Sequence, residues 1–323
     1  MSQLASPKLL VTRKLPIDVE ARIQENYDAI TNPDDTLLRP QELLEKSQGS
    51  DAILICTTDK CSPDFINALP ESVKIIATFS VGYDHIDLSA AKARGLVVTN
   101  TPDVLTNSTA DIAMLLLLGA ARGASWGEKM VRNKTWGTWC PTGPLGSDVT
   151  GKRLGIFGMG RIGQAVAKRA RGFDMEIHYH NRSKIDPKRE QGAVFHESLE
   201  GLMAVSDFLS INCASTPETH NAINKKSLAL LPKGAVVVNS ARGDIINDDD
   251  MIEALKSGHV AAGGFDVFRG EPDIDQRYRD LENTFLLPHL GSATYETRNA
   301  MGMRALDNLD AYFAGNEPKD RVA

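Results

Sequence analysis

Cysteine is scarce in this chain of 323 residues: Cys56, Cys61, Cys140 and Cys213 are the four present, and no two form a CxxC pair. That speaks against a disulfide framework and leads us to expect reduced core thiols in a cytoplasmic protein. Long apolar runs are missing too. The longest, Ile112–Ala121, falls well short of the ~20 residues that cross a bilayer and reads as a buried helix. Near the start only Leu9–Val11 is continuously apolar, too short for a secretion signal and better suited to a first strand. No basic excess exists either, with 36 Lys and Arg against 42 Asp and Glu and a net charge of −6. Neither nucleic acid nor membrane is therefore an expected partner.

What is there is an ordinary globular composition, 42% apolar and 24% charged. At ~150 residues per domain the length suggests two domains. Short β-branched or apolar runs bounded by turn residues recur along the chain. In the first third they are Lys8–Val11, Ala52–Cys56, Lys74–Thr78 and Leu96–Thr99, separated by helical patterns at Ile17–Asn26, Pro63–Ala68 and Leu88–Arg94. A second series begins at Gly151, with runs at Leu154–Phe157, Glu176–Tyr179, Phe208–Asn212, Ala235–Asn239, Ala261–Phe265 and Thr284–Leu287. Helical stretches at Gly163–Gly172, Lys225–Leu230 and Asp249–Ser257 lie between them, the last ending at Gly258, a good C-terminal cap. Such alternation predicts an α/β protein with two doubly wound parallel sheets of Rossmann type. Two further helices, Thr109–Arg122 and Ser292–Phe313, flank the second series. We expect them to cross between domains, giving a discontinuous substrate domain of 1–100 plus 291–323, a dinucleotide domain of 101–290, and an interdomain cleft.

The sharpest motif is Gly158-Met159-Gly160-Arg161-Ile162-Gly163, directly after the run Leu154–Phe157 and opening an amphipathic helix. In that context Gly158 allows the tight turn and Gly160 lets a diphosphate approach the backbone. Gly163 lets helix pack on strand, and the helix N-terminus presents N–H groups to the anion. A dinucleotide that must be held by NAD-type contacts usually meets Asp or Glu some twenty residues further on. Here the next strand ends His180-Asn181-Arg182-Ser183-Lys184, with no carboxylate. Arg182, helped by Ser183 and Lys184, suits a 2′-phosphate, so NADP(H) is favoured over NAD(H).

Three later segments put polar residues after expected strands: Asn239–Asp244 with Arg242, Asp266–Pro272 with Glu271, and Leu287–Ser292 with His289. Together they suit reduction of a 2-oxo acid. Arg242 would hold the carboxylate in a bidentate grip, His289 would donate the proton as hydride arrives, and Glu271 would keep the imidazole charged and oriented.

These segments carry a resemblance that covers nearly the whole chain. SVGYDHIDL (80–88), NTPDVLTNSTADIAMLLLLGAAR (100–122), LGIFGMGRIG (154–163), VVNSARGDII (237–246), GGFDVFRGEP (263–272) and LPHLGSAT (287–294) resemble the D-isomer-specific 2-hydroxyacid dehydrogenases. Within them the chain is most similar to the glycerate dehydrogenase and glyoxylate/hydroxypyruvate reductase branch. The resemblance implies Arg242, Glu271 and His289 as the catalytic set, and Val81 and Gly82 as N–H donors to the substrate carboxylate. It implies that Asp266 bonds the nicotinamide amide. Thr109, Cys213, Ala214, Ala241 and Gly291 would lie beside the cofactor. It further implies a homodimer in which Trp139 reaches the partner's pocket. The chain departs from the better-known glycerate dehydrogenases at Asn181-Arg182, where those carry an acid.

Other features read as structural. His178 and His180 share a strand face without a third ligand at metal spacing, so no metal is expected. Asp248-Asp249-Asp250 reads as a helix N-terminal cap, and His85 has Asp84 and Asp87 as ordinary partners. Competing functions are another dehydrogenase of the same fold, acting on D-lactate or phosphite, and a dinucleotide-sensing corepressor-like binding protein. Formate enzymes of this fold carry Gln where Glu271 stands.

Overall fold

The computed structural model describes residues 6–323. By packing, the chain separates into one unit running to Leu105 and joined by Ala293–Ala323, and a second unit, Thr106–Ser292.

The first unit is built on a parallel sheet of β1 (Lys8–Val11), β2 (Asp28–Ile30), β3 (Ala52–Ile55), β4 (Ile75–Thr78) and β5 (Val97–Thr99), in the order β2-β1-β3-β4-β5. The central strands β3 and β4 are buried along their whole length. That is why they read as continuous apolar runs rather than alternating ones. The helix Tyr295–Phe313 belongs to this unit and packs near β4. It starts later than the pattern Ser292–Phe313 suggested, because the Thr294 side chain caps it by accepting from Thr297 N at 3.1 Å.

The second unit carries seven parallel strands: β6 (Arg153–Phe157), β7 (Glu176–His180), β8 (Val194–His196), β9 (Phe208–Ile211), β10 (Ala235–Asn239), β11 (Val260–Phe265) and β12 (Thr284–Leu286). Their order is β12-β11-β10-β9-β6-β7-β8, so the winding reverses between β6 and β9. In sheets of this kind ligands bind beyond the C-terminal strand ends at that reversal. The apolar helix Thr106–Ala121 packs against β10 and β11 and against the helix Arg161–Ala170, which closes one face of the core. The other face is closed by Leu202, Leu228, Met251, Ile252 and Leu255.

Several expectations are corrected. The strands β2 and β8 were not visible in the sequence pattern; each is only three residues long and lies at a sheet edge. The helix Ala124–Arg132 also went unread. The cap of Asp248–Lys256 is Asn247, whose side chain accepts from Asp250 N at 3.1 Å, while the three aspartates fill the first turn. All four thiols are free, but Cys140 is exposed rather than core. It lies in a Gly- and Pro-rich irregular stretch that has no apolar period with which to bury a side chain. No helix of the described residues is long and apolar enough to cross a membrane.

Candidate active site

The glycine turn follows β6 as its spacing predicts. Gly158 has φ +101°, and a Cβ there would stand 2.4 Å from Cys213 N, so no other residue fits without displacing the β9 loop. At Gly163 a Cβ would meet Gly158 O at 2.3 Å, so the helix Arg161–Ala170 can press onto the turn only through glycine. Gly160, the helix N-cap, differs: a Cβ there would meet nothing within 4 Å. The outer side of the turn is thus open where helix N–H groups point, which fits an approaching diphosphate.

The side chain of Asn181, at the end of β7, accepts from Met159 N at 2.7 Å and so pins the turn from the neighbouring strand. Beyond it Arg182 and Ser183 are exposed. Lys184 does not join them. Its ammonium lies 3.7 Å from Glu190, a buried residue that also accepts from Tyr179 Oη at 2.5 Å. A lysine drawn to a buried carboxylate is diverted from the loop rim where Arg182 and Ser183 stand exposed. His178 and His180 both face His196. The His178 Nδ1 to His196 Nε2 distance is 3.0 Å, and His180 Nδ1 lies 2.8 Å from the His196 carbonyl. Among the described residues no group of three or more His, Cys, Asp or Glu is arranged to hold a metal ion.

At the ends of β10, β11 and β12 the other polar residues gather. Asn239 is fully buried. Its Nδ2 donates to Arg242 O at 2.8 Å and its Oδ1 accepts from Ala241 N at 2.9 Å, so one side chain shapes the whole turn that presents Arg242. That residue escaped the sequence reading, although a polar side chain ending the apolar run Val236-Val237-Val238 was its signal. The Arg242 guanidinium donates to Ala241 O at 2.8 Å.

Glu271 and His289 meet directly, with Glu271 Oε2 2.7 Å from His289 Nδ1. The other Glu271 oxygen accepts from Phe268 N at 2.7 Å. Burial alone would raise the Glu271 carboxyl. It is outweighed by the bonds from His289 and Phe268 N and by the positive charges of His289 and Arg242, and the group sits below the usual glutamate value. The imidazole side chain is 43% exposed, and Nδ1 is the ring nitrogen engaged with Glu271.

The His289 backbone, at φ +56°, is held in its turn by Asp266. Asp266 O accepts from His289 N at 2.8 Å, and the carboxylate accepts from Leu290 N at 2.6 Å and Gly291 N at 2.8 Å. Burial raises this carboxyl above the ordinary aspartate value, against the opposing pull of Leu290 N, the His289 charge and Gly291 N. Gly291 O in turn accepts from Ser108 Oγ at 3.0 Å and Thr109 Oγ1 at 3.1 Å. Cys213 and Ala214 follow β9. Burial pushes the Cys213 thiol up to about 12, which leaves it an inert packing group.

In the first unit, Val81 and Gly82 follow β4. Ser80 Oγ donates to Gly82 O at 2.6 Å and Asn100 Nδ2 to Val81 O at 2.8 Å, which fixes the turn through its carbonyls. Among the described residues the N–H groups of Val81 and Gly82 have no acceptor. His85 Nε2 lies 2.9 Å from Thr78 Oγ1, while Asp87 caps the helix Leu88–Ala93. Trp139, in the second unit, is 78% exposed.

Comparison with known proteins gives the chain a family. Residues 114–291 match the profile of the D-isomer specific 2-hydroxyacid dehydrogenase NAD binding domain. A glycerate dehydrogenase of Hyphomicrobium methylovorum is 48% identical over 97% of this chain and 98% of its own. A glyoxylate reductase of Thermococcus kodakarensis is 40% identical over 98% and 96%. Among solved structures, the NADPH-dependent glyoxylate/hydroxypyruvate reductase of Sinorhizobium meliloti, determined with NADP and malonate, superposes with a TM-score of 0.89. It is 34% identical and the match covers 99% of this chain and 97% of that one. With a nucleotide-binding unit of the matching profile and relatives aligned from end to end, this chain belongs to the D-isomer specific 2-hydroxyacid dehydrogenase family.

Proposed function

We propose that this enzyme reduces glyoxylate to glycolate and hydroxypyruvate to D-glycerate, with NADPH preferred over NADH. The observation that carries the reading is the His289–Glu271 contact at 2.7 Å, placed on the same sheet edge as the open glycine turn. The names of the Hyphomicrobium, Thermococcus and Sinorhizobium proteins support the substrate class.

In this reading the backbone of Gly158, Met159, Gly160, Arg161, Ile162 and Gly163 holds the coenzyme diphosphate. Asn181 keeps the turn in shape, and Arg182 with Ser183 takes the 2′-phosphate. Asp266, Thr109, Cys213, Ala214, Ala241 and Gly291 border the nicotinamide. When bound, the reduced nicotinamide supplies the hydride. Arg242 grips the substrate carboxylate through its planar fork. The proton comes from His289 Nε2, because Nδ1 is committed to Glu271. The Glu271 carboxylate, ionised at neutral pH, accepts from Nδ1 and fixes the orientation of the ring from which that proton leaves. The unit Thr106–Ser292 is the dinucleotide domain and the other unit the substrate domain.

A homodimer completes the proposal. The helix Ala124–Arg132 buries none of its residues, Val131 within it is exposed, and Trp136, Trp139 and Leu145 after it in sequence are exposed too. Apolar surface of this kind marks a protein interface, with Trp139 directed to the partner.

The deciding experiment follows the absorbance of NADPH with hydroxypyruvate, glyoxylate, pyruvate and phosphite, in parent and His289→Ala. Turnover of the first two by the parent, lost in a variant that still binds coenzyme, supports the proposal. A parent that binds NADPH yet turns over none of them overturns it in favour of a dinucleotide-sensing binding protein.

A further inference from the structure

The flank of the helix Arg161–Ala170 and the short helix Pro187–Glu190 border an open groove of about 300 Å³. Lys168, Arg171, Lys188 and Arg189 line it, and no carboxylate does. That is unusual in a chain of net charge −6. Three other arginines of this unit each hold a carboxylate: Arg153 pairs with Asp207 at 2.8 Å, Arg169 with Asp111 at 2.5 Å, and Arg277 with Asp249 at 2.6 Å.

The groove residues do not. Arg171 donates to neutral oxygens, Glu190 O at 2.8 Å and Gln191 Oε1 at 3.4 Å, and burial holds it below the ordinary guanidinium value. Arg189 Nε donates to Gln164 Oε1 at 3.0 Å. Among the described residues neither lysine ammonium stands in an ion pair. The nearby acids are engaged elsewhere. Glu190 turns inward to Tyr179 and Lys184, and Asp186 accepts from Lys188 N at 2.7 Å. Lys168 from one helix, Arg171 just beyond its end, and Lys188 and Arg189 from the other helix converge without a counter-charge among the described residues. They create a local positive potential, and the partly desolvated Arg171 guanidinium gains most from an anion.

We propose that this groove is an anion site for a phosphate dianion, separate from the glycine turn. A tetrahedral dianion offers acceptor oxygens toward both walls at once, as a groove with cations on two helices requires. The inference rests on charge and geometry and is independent of the substrate reading. Two sources share the chemistry, a free phosphate group and the phosphate of the coenzyme itself, and the groove shares Met159 with the turn. The test must therefore separate them.

Inorganic phosphate is titrated into the full-length protein by calorimetry, against potassium chloride of equal ionic strength, alone and at saturating NADH or NADPH. We expect saturable phosphate binding that persists with either coenzyme. It should weaken by about tenfold or more in Lys168→Gln/Lys188→Gln, two exposed residues whose loss leaves the fold intact. Arg171→Gln should weaken it further, with its fold checked by circular dichroism because the bond to Glu190 O is lost. Unchanged affinity in the lysine variant overturns the proposal. So does displacement by NADPH but not NADH, which assigns the groove to the coenzyme's own phosphate, and so does heat matched by chloride.

Discussion

The acid–base pair and the loop rim at the end of β7 occupy strand ends of one sheet, but they are held in opposite ways. His289 is tied through its N–H, through the next two N–H groups, through the Gly291 carbonyl and through its own ring. Arg182 is exposed, its guanidinium makes no hydrogen bond among the described residues, and the charge it feels is the exposed Glu218 carboxylate. Proton transfer needs atoms held to a fraction of an ångström, whereas attraction between a guanidinium and a phosphate acts over several ångströms. If the proposed roles hold, the difference teaches that chemistry is anchored by buried polar groups, while coenzyme choice is left to side chains that can change without disturbing the fold.

The comparison breaks first at His289. His289→Ala should lower kcat by about 10²–10⁴-fold with coenzyme affinity retained, measured by steady-state kinetics and fluorescence titration. Normal turnover would remove the residue from the mechanism. Arg242→Lys should cost about 10–100-fold in kcat/KM, with KM raised, since a point charge cannot replace the fork. Unaltered kinetics would mean that the carboxylate is bound elsewhere.

On the loosely held side, Arg182→Asp should swing the NADPH/NADH preference by about 1–3 kcal/mol while stability stays within about 0.5 kcal/mol. A variant that still prefers NADPH, or one that unfolds, would contradict the contrast between the two regions. The smallest effect is on pH. Glu271 titrates below the ordinary value in the folded state, so its stabilisation is complete above that value and is lost as pH falls through the lower folded one. Glu271→Gln should therefore lose less stability than the parent between about pH 5 and pH 3, read as denaturant midpoints. Parallel acid losses in the two proteins would show that the pair adds nothing to folding.

Most of the central strands were legible, because burial on both faces leaves continuous runs such as Ala235–Asn239 that turn residues bracket cleanly. The edge strands β2 and β8 were not. Asp28–Ile30 is only partly buried, so no periodicity marks it. At the site, Arg242, Glu271 and His289 could be named because each follows a strand whose end is visible. Asn239 was passed over because one buried amide bonding two backbone groups of its own turn leaves no spacing pattern. Lys184 misled for the converse reason: Glu190 is near in sequence, but only the fold shows that its carboxylate is buried and that it takes the ammonium.

By itself the sequence determined the alternation of strands and helices, the glycine turn and the order of the charged residues after it. These depend on local backbone freedom and on which side chains water rejects, and both are written residue by residue. The tertiary structure alone decided which charges meet. His289 finds Glu271 across eighteen residues, and Arg171 meets no carboxylate among the described residues, only the Glu190 carbonyl and the Gln191 amide. Coulomb and hydrogen-bond energies depend on distance and desolvation in space, and neither quantity exists until the chain has packed.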